Sequence, residues 1–168
     1  KYDIRWIRGT ADEIDPDKRE VRVGKDRVDY DRLIVSPGVD YNYEGIGGMG
    51  SAKAQALVPH AWKAGEQTQR LREMLYAMPQ GGVVALHIPK VPYRCPPGPY
   101  ERASLIAYFL QLRNPKGKLL VFDSNPEIQA KKGLFEAVRK NKYAGLLEYV
   151  PNAEVQSVDA GTQTIDLM

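Results

Sequence analysis

Short alternating stretches of apolar and polar residues over the first thirty positions predict extended structure. The residues alternate over 3–7 and again over 20–23, the period-two pattern of a strand with one buried face. Turn sequences follow at Asp15–Asp17 and at Gly24–Asp26. We therefore predict two short strands joined by a polar turn.

The segment 30–35 differs from this alternation, because it is a compact β-branched run that stops abruptly at Ser36, Pro37 and Gly38. Such a run predicts a buried parallel strand closed by a turn. Four glycines within 45–50 then predict a flexible connection. We place a domain boundary there, between a β-rich segment, 1–50, and a second domain, 52–168.

Helical and strand patterns alternate through the second domain. Over 61–78, apolar residues at the spacing i, i+3, i+4 and i+7 predict an amphipathic helix; they are Leu71, Met74, Leu75 and Met78. Two more helices are predicted, a fully buried one at 101–112 and another at 127–140, with strands at 83–88, 118–123 and 146–150 and a hairpin over 154–167. This order predicts an α/β fold, a Rossmann-type parallel sheet with helices on both faces.

Composition and charge exclude several classes of protein. The chain has 24 basic and 21 acidic residues among 168, and the basic ones are scattered, so we expect no nucleic-acid partner. No apolar run approaches the roughly 20 residues of a transmembrane segment. One cysteine excludes an internal disulfide framework, and the distant His60 and His87 exclude a zinc site.

The loop after the first strand of the second domain cannot hold a dinucleotide. In NAD-binding domains this loop is Gly-rich, and its N–H groups bind the pyrophosphate. Here five of the twelve residues 89–100 are prolines, which lack an N–H, and only one is glycine. We therefore expect no NAD. Asp123, at the end of the next strand, is interpreted as a turn cap; the alternative is a ribose-binding acid.

Cys95, the only cysteine, stands in this loop instead. The adjacent Arg94 and the helix that follows both favour the thiolate, which predicts a nucleophilic or redox-active sulfur; the alternative is a thiol packed as a small hydrophobe. Glu101 is interpreted as a proton acceptor, or alternatively as an acid that complements the helix dipole. Tyr93 and Tyr100 could pack on a planar ring or be ordinary loop aromatics.

The segments VPYRCPPGPYERA, 91–103, and YDRLIVSPG, 30–38, closely resemble the flavoprotein subunits of the flavocytochrome c sulfide dehydrogenase family. That family belongs to the disulfide-reductase-like flavoproteins, as do the sulfide:quinone oxidoreductases. The string CPPGPYE is specific to the resemblance, whereas a strand ending in Ser-Pro-Gly is shared widely among two-domain flavoenzymes.

The resemblance implies a cofactor, a reaction and a partner. FAD would lie in the first domain, with Ser36, Pro37 and Gly38 returning the chain past it, and the second domain would keep the NAD-domain fold without NAD. Cys95 would pair with a later cysteine in a redox-active disulfide that sulfide attacks, with Glu101 as the nearby base. Electrons would pass through FAD to the haem of a cytochrome c subunit in the periplasm.

The resemblance also implies missing parts and alternatives. The Gly-rich motif that opens the FAD domain and the second cysteine are absent from the sequence, so we expect an internal fragment that is inactive alone. Two alternatives are a sulfide:quinone oxidoreductase and a non-catalytic module that docks a redox partner. An NADH-using flavoenzyme is a third, which the proline-rich loop disfavours.

Overall fold

The computed structural model describes residues 3–168, which divide into two compact units, one ending at Tyr41 and one from Asn42 to Met168. The first unit contains a three-stranded antiparallel sheet. Its strands are β1, Glu13–Asp15, β2, Glu20–Val23, and β3, Asp26–Asp29. The prediction for 20–23 is confirmed. The prediction for 3–7 is wrong: those residues form no regular strand, and Val21 pairs with Ile14 and Val28 instead.

The predicted buried strand at 30–35 is also wrong. Residues 31–40 have no regular secondary structure and are exposed; Ile34 is 90% exposed. An apolar run becomes a parallel strand only when a neighbouring strand satisfies its backbone groups. Among the described residues of this unit, the sheet ends at β3 and offers the run no such neighbour.

The second unit contains every helix that the structure describes. Two helices precede its main sheet: α1, Ala52–Leu57, and α2, Glu66–Ala77. The sheet and its helices then alternate as β4, Val83–Ile88, α3, Gly98–Arg113, β5, Lys118–Asp123, α4, Lys132–Asn141, and β6, Leu147–Pro151. A hairpin of β7, Val155–Asp159, and β8, Thr164–Leu167, follows.

Strands β4, β5 and β6 form a parallel sheet in that order, flanked by helices, which confirms the predicted α/β Rossmann-like unit. Leu119 in the central strand pairs with Val84 on one side and with Leu147 on the other. The core lies between the sheet and α3, where Leu110 and Leu119 are fully buried. The carboxyl ends of β4 and β5 therefore meet at one edge of the sheet.

Helix α3 differs from the fully buried helix that its composition predicted. It begins three residues earlier, at Gly98, and only one face is buried. Leu105 and Leu112 are 66% and 61% exposed, because a helix packed against one sheet face turns its other side away from the core. Helix α4 begins five residues later than predicted, after a left-handed Lys131.

The glycine-rich segment 45–50, predicted as a flexible connection, is tied to the hairpin. Gly47 N–H donates to Gln156 O (2.9 Å), and Val158 N–H donates to Gly47 O (2.9 Å). Gly48 has a φ of +82°, and a Cβ there would overlap the Val158 carbonyl oxygen. Glycine is thus required for close approach to β7.

Within residues 3–168, no helix is both long and apolar enough to cross a membrane, and no group of three metal-binding side chains comes together.

Candidate active site at the start of helix α3

Residues 89–97, the cysteine loop, connect the end of β4 to α3. Its first half is held by Asn125, just beyond β5. The Asn125 side chain accepts a hydrogen bond from Val91 N–H (3.0 Å) and donates one to Pro89 O (2.9 Å). One side chain thus binds the backbone of this proline-rich loop, which has few N–H groups of its own. The Val91–Pro92 peptide bond is cis.

Cys95 lies in the second half of the cysteine loop with its side chain exposed. Its backbone is left-handed, with a φ of +59°. Its carbonyl accepts a hydrogen bond from Gly98 N–H (2.9 Å), which closes a turn into α3. The sulfur is thus not packed in the core of this unit, contrary to the alternative of a small buried hydrophobe. Its redox role stays a prediction.

Glu101 stands in the first turn of α3 and is exposed. Its N–H donates to Pro97 O (3.0 Å), so its backbone belongs to the helix, while its carboxylate is open to solvent. Cys95 and Glu101 are thereby brought to the same end of α3. Both interpretations of Glu101 remain compatible with this position, because the first turn also favours a negative charge.

Trp62, which sequence reasoning missed, lies against the start of α3. A Cβ added to Gly98 would overlap the end of the Trp62 indole, 2.8 Å from Cζ2, and would stand 3.3 Å from the Cys95 sulfur. The indole and the sulfur therefore both border Gly98. The Arg102 guanidinium lies 5.6 Å from the centre of the Trp62 ring, within the range of a cation–π interaction.

The Asp123 carboxylate is fully buried at the end of β5 and accepts four hydrogen bonds. One oxygen accepts from the hydroxyls of Tyr100 (2.7 Å) and Tyr149 (2.8 Å). The other accepts from the backbone N–H (2.9 Å) and the side-chain amide (2.7 Å) of Asn125. These four donors fill the acceptor sites of a carboxylate. We call Asp123, Ser124 and Asn125 the aspartate turn.

The tyrosine hydroxyls of this network are held in the protonated state. Burial raises the pKa of Tyr100 far above its ordinary value, and the contacts with Tyr93 and Asp123 raise it further. Burial likewise raises the pKa of Tyr149, with the bond to Asp123 as the second cause. A protonated tyrosine can donate to a carboxylate, so the network keeps its donors across the physiological pH range.

The residues at this sheet edge do not fit NAD. The Asp123 carboxylate caps the turn, as predicted, by accepting from the Asn125 N–H. Its acceptor sites are all occupied, so none is left for a ribose hydroxyl. Tyr100 extends from the first turn of α3 to that carboxylate, and Gln129 N–H donates to its hydroxyl (3.1 Å). Prolines at 97 and 99 remove two N–H groups that a helix start would offer to a pyrophosphate.

Ser36, Pro37 and Gly38, the residues predicted to lie beside FAD, belong to the first compact unit. All three are exposed, and Gly38 has a φ of +78° with no other atom within 4 Å of its Cβ position. Their role in binding FAD stays a prediction.

One feature of this arrangement had a signal in the sequence, and two did not. Gly98 is the single glycine of a proline-rich segment and starts a helix, a position where glycine indicates close approach by another group. Nothing in the sequence, however, identified Trp62 as that group. The pairing of Tyr100 and Tyr149 with Asp123 joins three separate elements, which no local pattern reveals.

Comparison with known families gives a match that includes this site. The family model described as the central region of the flavoprotein chain of flavocytochrome c sulfide dehydrogenase matches residues 68–168. The match covers more than half of the chain and includes Cys95 and Glu101, whereas Trp62 and 36–38 lie before it. The resemblance inferred from the cysteine loop is thereby confirmed: the chain belongs to the family of flavocytochrome c sulfide dehydrogenase flavoprotein chains.

Proposed function

We propose that this chain is the central part of an FAD-dependent sulfide dehydrogenase and that Cys95 is half of its redox-active disulfide. The family supports a flavoprotein parent. The observation that carries the assignment to Cys95 is an exposed thiol at the start of α3, where a nucleotide-binding domain would hold its pyrophosphate. A later cysteine, outside this chain, is the partner sulfur in the proposal.

The proposed reaction begins with hydrosulfide as the nucleophile. It attacks one sulfur of the disulfide; a new sulfur–sulfur bond forms there, the old one breaks, and the other cysteine leaves as a thiolate. Glu101 accepts the proton of hydrogen sulfide or of a cysteine thiol.

FAD, when bound, supplies a two-electron acceptor that can release electrons singly. Ser36, Pro37 and Gly38 would line its site in the first unit. We propose the haem of a cytochrome c subunit as the final acceptor and the periplasm as the location, both on the strength of the family. A quinone acceptor is the alternative. Measuring how much cytochrome c and how much quinone is reduced per sulfide consumed separates the two.

The direct test is anaerobic addition of sulfide to the intact flavoprotein, followed by flavin absorbance. Absorbance should bleach in the wild type, and Cys95→Ser should abolish fast bleaching. Lys90→Ala, an exposed change in the same loop, is the matched control and should bleach normally. Normal bleaching of Cys95→Ser would favour the non-catalytic docking module and refute the proposed role of the thiol.

Glu101→Gln tests the proton acceptor separately. Loss of a general base reduces a rate by roughly 10²-fold or more, whereas loss of a charge that only complements the helix dipole leaves bleaching unchanged. If Glu101 deprotonates hydrogen sulfide, raising the pH should restore the bleaching rate of Glu101→Gln, because hydroxide then generates hydrosulfide in solution.

A further inference from the structure

Helix α3 is apolar on nearly its whole circumference, but only one side of it is buried. The buried side, which includes Ala107 and Leu110, packs on the parallel sheet. On the opposite side, Leu105, Tyr108 and Leu112 follow one another at the spacing i, i+3 and i+7, and all three are exposed; we call them the outer stripe. A helix that is hydrophobic all round is normally buried all round, so the outer stripe calls for a partner.

Side chains from α2 and from the end of α4 border the outer stripe without covering it. The ring of Tyr76 in α2 packs edge-on against Phe109, the residue next to Tyr108, with ring centres 5.1 Å apart. On the other side, the Lys142 ammonium lies 5.3 Å from the centre of the Tyr108 ring. The outer stripe is therefore an open apolar surface between two helices, at the spacing of a coiled-coil contact.

The two ends of α3 carry opposite charges. Glu101 lies in the first turn, four residues before Leu105, and Arg113 lies in the last turn, next to Leu112. In the part of the chain that the structure describes, neither charged side chain forms an ion pair; the Arg113 guanidinium lies 6.0 Å from the centre of the Tyr76 ring. From start to end, this side of α3 is thus acidic, apolar and basic.

We propose that the outer stripe is the contact surface between two copies of this chain. Such a pattern is complementary to itself when two helices pair antiparallel, and it brings like charges together when they pair in parallel. A two-fold axis at Tyr108 sets Leu105 of each copy near Leu112 of the partner subunit and brings each acidic end to a basic end. Two-fold pairs of this kind are the commonest form of protein oligomer.

A symmetric cross-link tests this pairing directly. With helix axes about 8–10 Å apart, the two Cα atoms at the axis come within the roughly 7 Å that a disulfide can span. In the intact flavoprotein with Cys95→Ser, we expect Tyr108→Cys to form a dimer on mild oxidation, linked from residue 108 to residue 108 in mass spectrometry of its peptides. Leu134→Cys, at an exposed position in α4, is the matched control and should give no such link.

Sedimentation equilibrium of the intact flavoprotein measures the strength of the contact. The mass should rise with concentration toward twice that of the monomer. Leu105→Glu should raise the dissociation constant at least roughly 100-fold, because the two-fold axis buries the new charge twice. Leu134→Glu adds the same charge at a similarly exposed leucine and should leave the dissociation constant unchanged.

Exchange of the end charges tests the direction of pairing. Glu101→Arg and Arg113→Glu should each raise the dissociation constant roughly threefold to tenfold, because each variant places like charges together at both ends of the pair. The double variant restores opposite charges and should return the dissociation constant toward the wild-type value.

A flavoprotein that stays monomeric at its highest soluble concentration would overturn the proposal and would indicate that another subunit, or another part of the parent, covers the outer stripe. A dimer that Leu134→Glu weakens as much as Leu105→Glu would also overturn it, as would a double charge variant that recovers nothing. If Leu105→Glu does not fold, the cross-link still decides the question, because a dimer without a link between the two residues 108 contradicts the two-fold axis.

Discussion

The cysteine loop and the aspartate turn stand at the same edge of the parallel sheet and are built in opposite ways. In the aspartate turn, a fully buried carboxylate binds four donors from three elements. In the cysteine loop, Cys95 is exposed. In a dinucleotide-binding domain both positions would contact the ligand. Here the side chains of Tyr100, Tyr149 and Asn125 fill one position, and the other position presents an exposed thiol.

The comparison shows how a nucleotide-type fold can fill its ribose position with its own side chains and still expose a thiol nearby. Tyr100 takes the hydrogen bonds that a ribose would need, and Asn125 holds the cysteine loop through Pro89 and Val91. The buried aspartate turn, which is the closed region, therefore holds the exposed cysteine loop, which is the open region, in place. Changes in the closed region should cost stability, and changes in the open region should alter chemistry with little loss of stability.

The largest expected effect is at Asp123. Asp123→Ala leaves two tyrosine hydroxyls and two amide donors of Asn125 unpaired in a buried site, so we expect the free energy of unfolding to fall by about 3–4 kcal/mol. Urea unfolding followed by helical circular dichroism measures it, since the described helices all lie in the second unit.

Asp159→Ala is the matched control for Asp123→Ala. Asp159 also accepts two backbone hydrogen bonds, from Gly161 (2.8 Å) and Thr162 (3.0 Å), but in an exposed turn. Asp159→Ala should lower the free energy of unfolding far less than Asp123→Ala does, because water replaces both hydrogen bonds in the exposed turn. Equal losses for the two variants would contradict the contrast between the buried turn and the open surface.

A smaller effect is expected at Tyr100. Tyr100→Phe removes one hydrogen bond to a buried carboxylate and should cost about 1.5–3 kcal/mol near neutral pH. Tyr76→Phe, at a position that is 57% exposed, should change the free energy of unfolding by less than about 0.5 kcal/mol.

The pH dependence of Tyr100→Phe gives a second measurement. Because the pKa of Tyr100 is raised in the folded state, the unfolded chain loses its tyrosine proton first as pH rises above about 10. The unfolded state then binds fewer protons, and the free energy of unfolding decreases with pH. This decrease should be shallower in Tyr100→Phe; an equal slope would show that the hydroxyl is not the group responsible.

His87, in β4, contacts the aspartate turn, because its Nε2 lies 3.0 Å from Ser124 Oγ. Burial lowers the pKa of His87 below 6.5, so below that pH the unfolded chain binds a proton that the folded chain does not. The free energy of unfolding should therefore decrease as pH falls below about 6.5. His87→Gln should weaken this acid dependence; an unchanged slope in urea titrations at several pH values would exclude His87 as its source.

The smallest effect is expected at Cys95. Because its side chain is exposed, Cys95→Ser should change the free energy of unfolding of this chain by no more than about 0.5 kcal/mol, although we expect it to abolish sulfide-dependent bleaching in the parent. A loss of more than about 2 kcal/mol in urea would instead indicate a packed structural thiol.

The sequence by itself determined the strand and helix order from α2 onward, because β4 and β5 are apolar runs bounded by turns and α2 has a clear amphipathic spacing. It also located the cysteine loop and identified the family, since a proline-rich string with one thiol is a local signal. It did not predict α1. It failed for 30–35 because an apolar run specifies a strand only when a partner strand is beside it. Only the tertiary structure decided that Tyr100 and Tyr149 donate hydrogen bonds to the Asp123 carboxylate and that the Trp62 indole lies against Gly98. Those contacts join residues far apart in the chain, and their energies depend on burial and distance, which no local pattern contains.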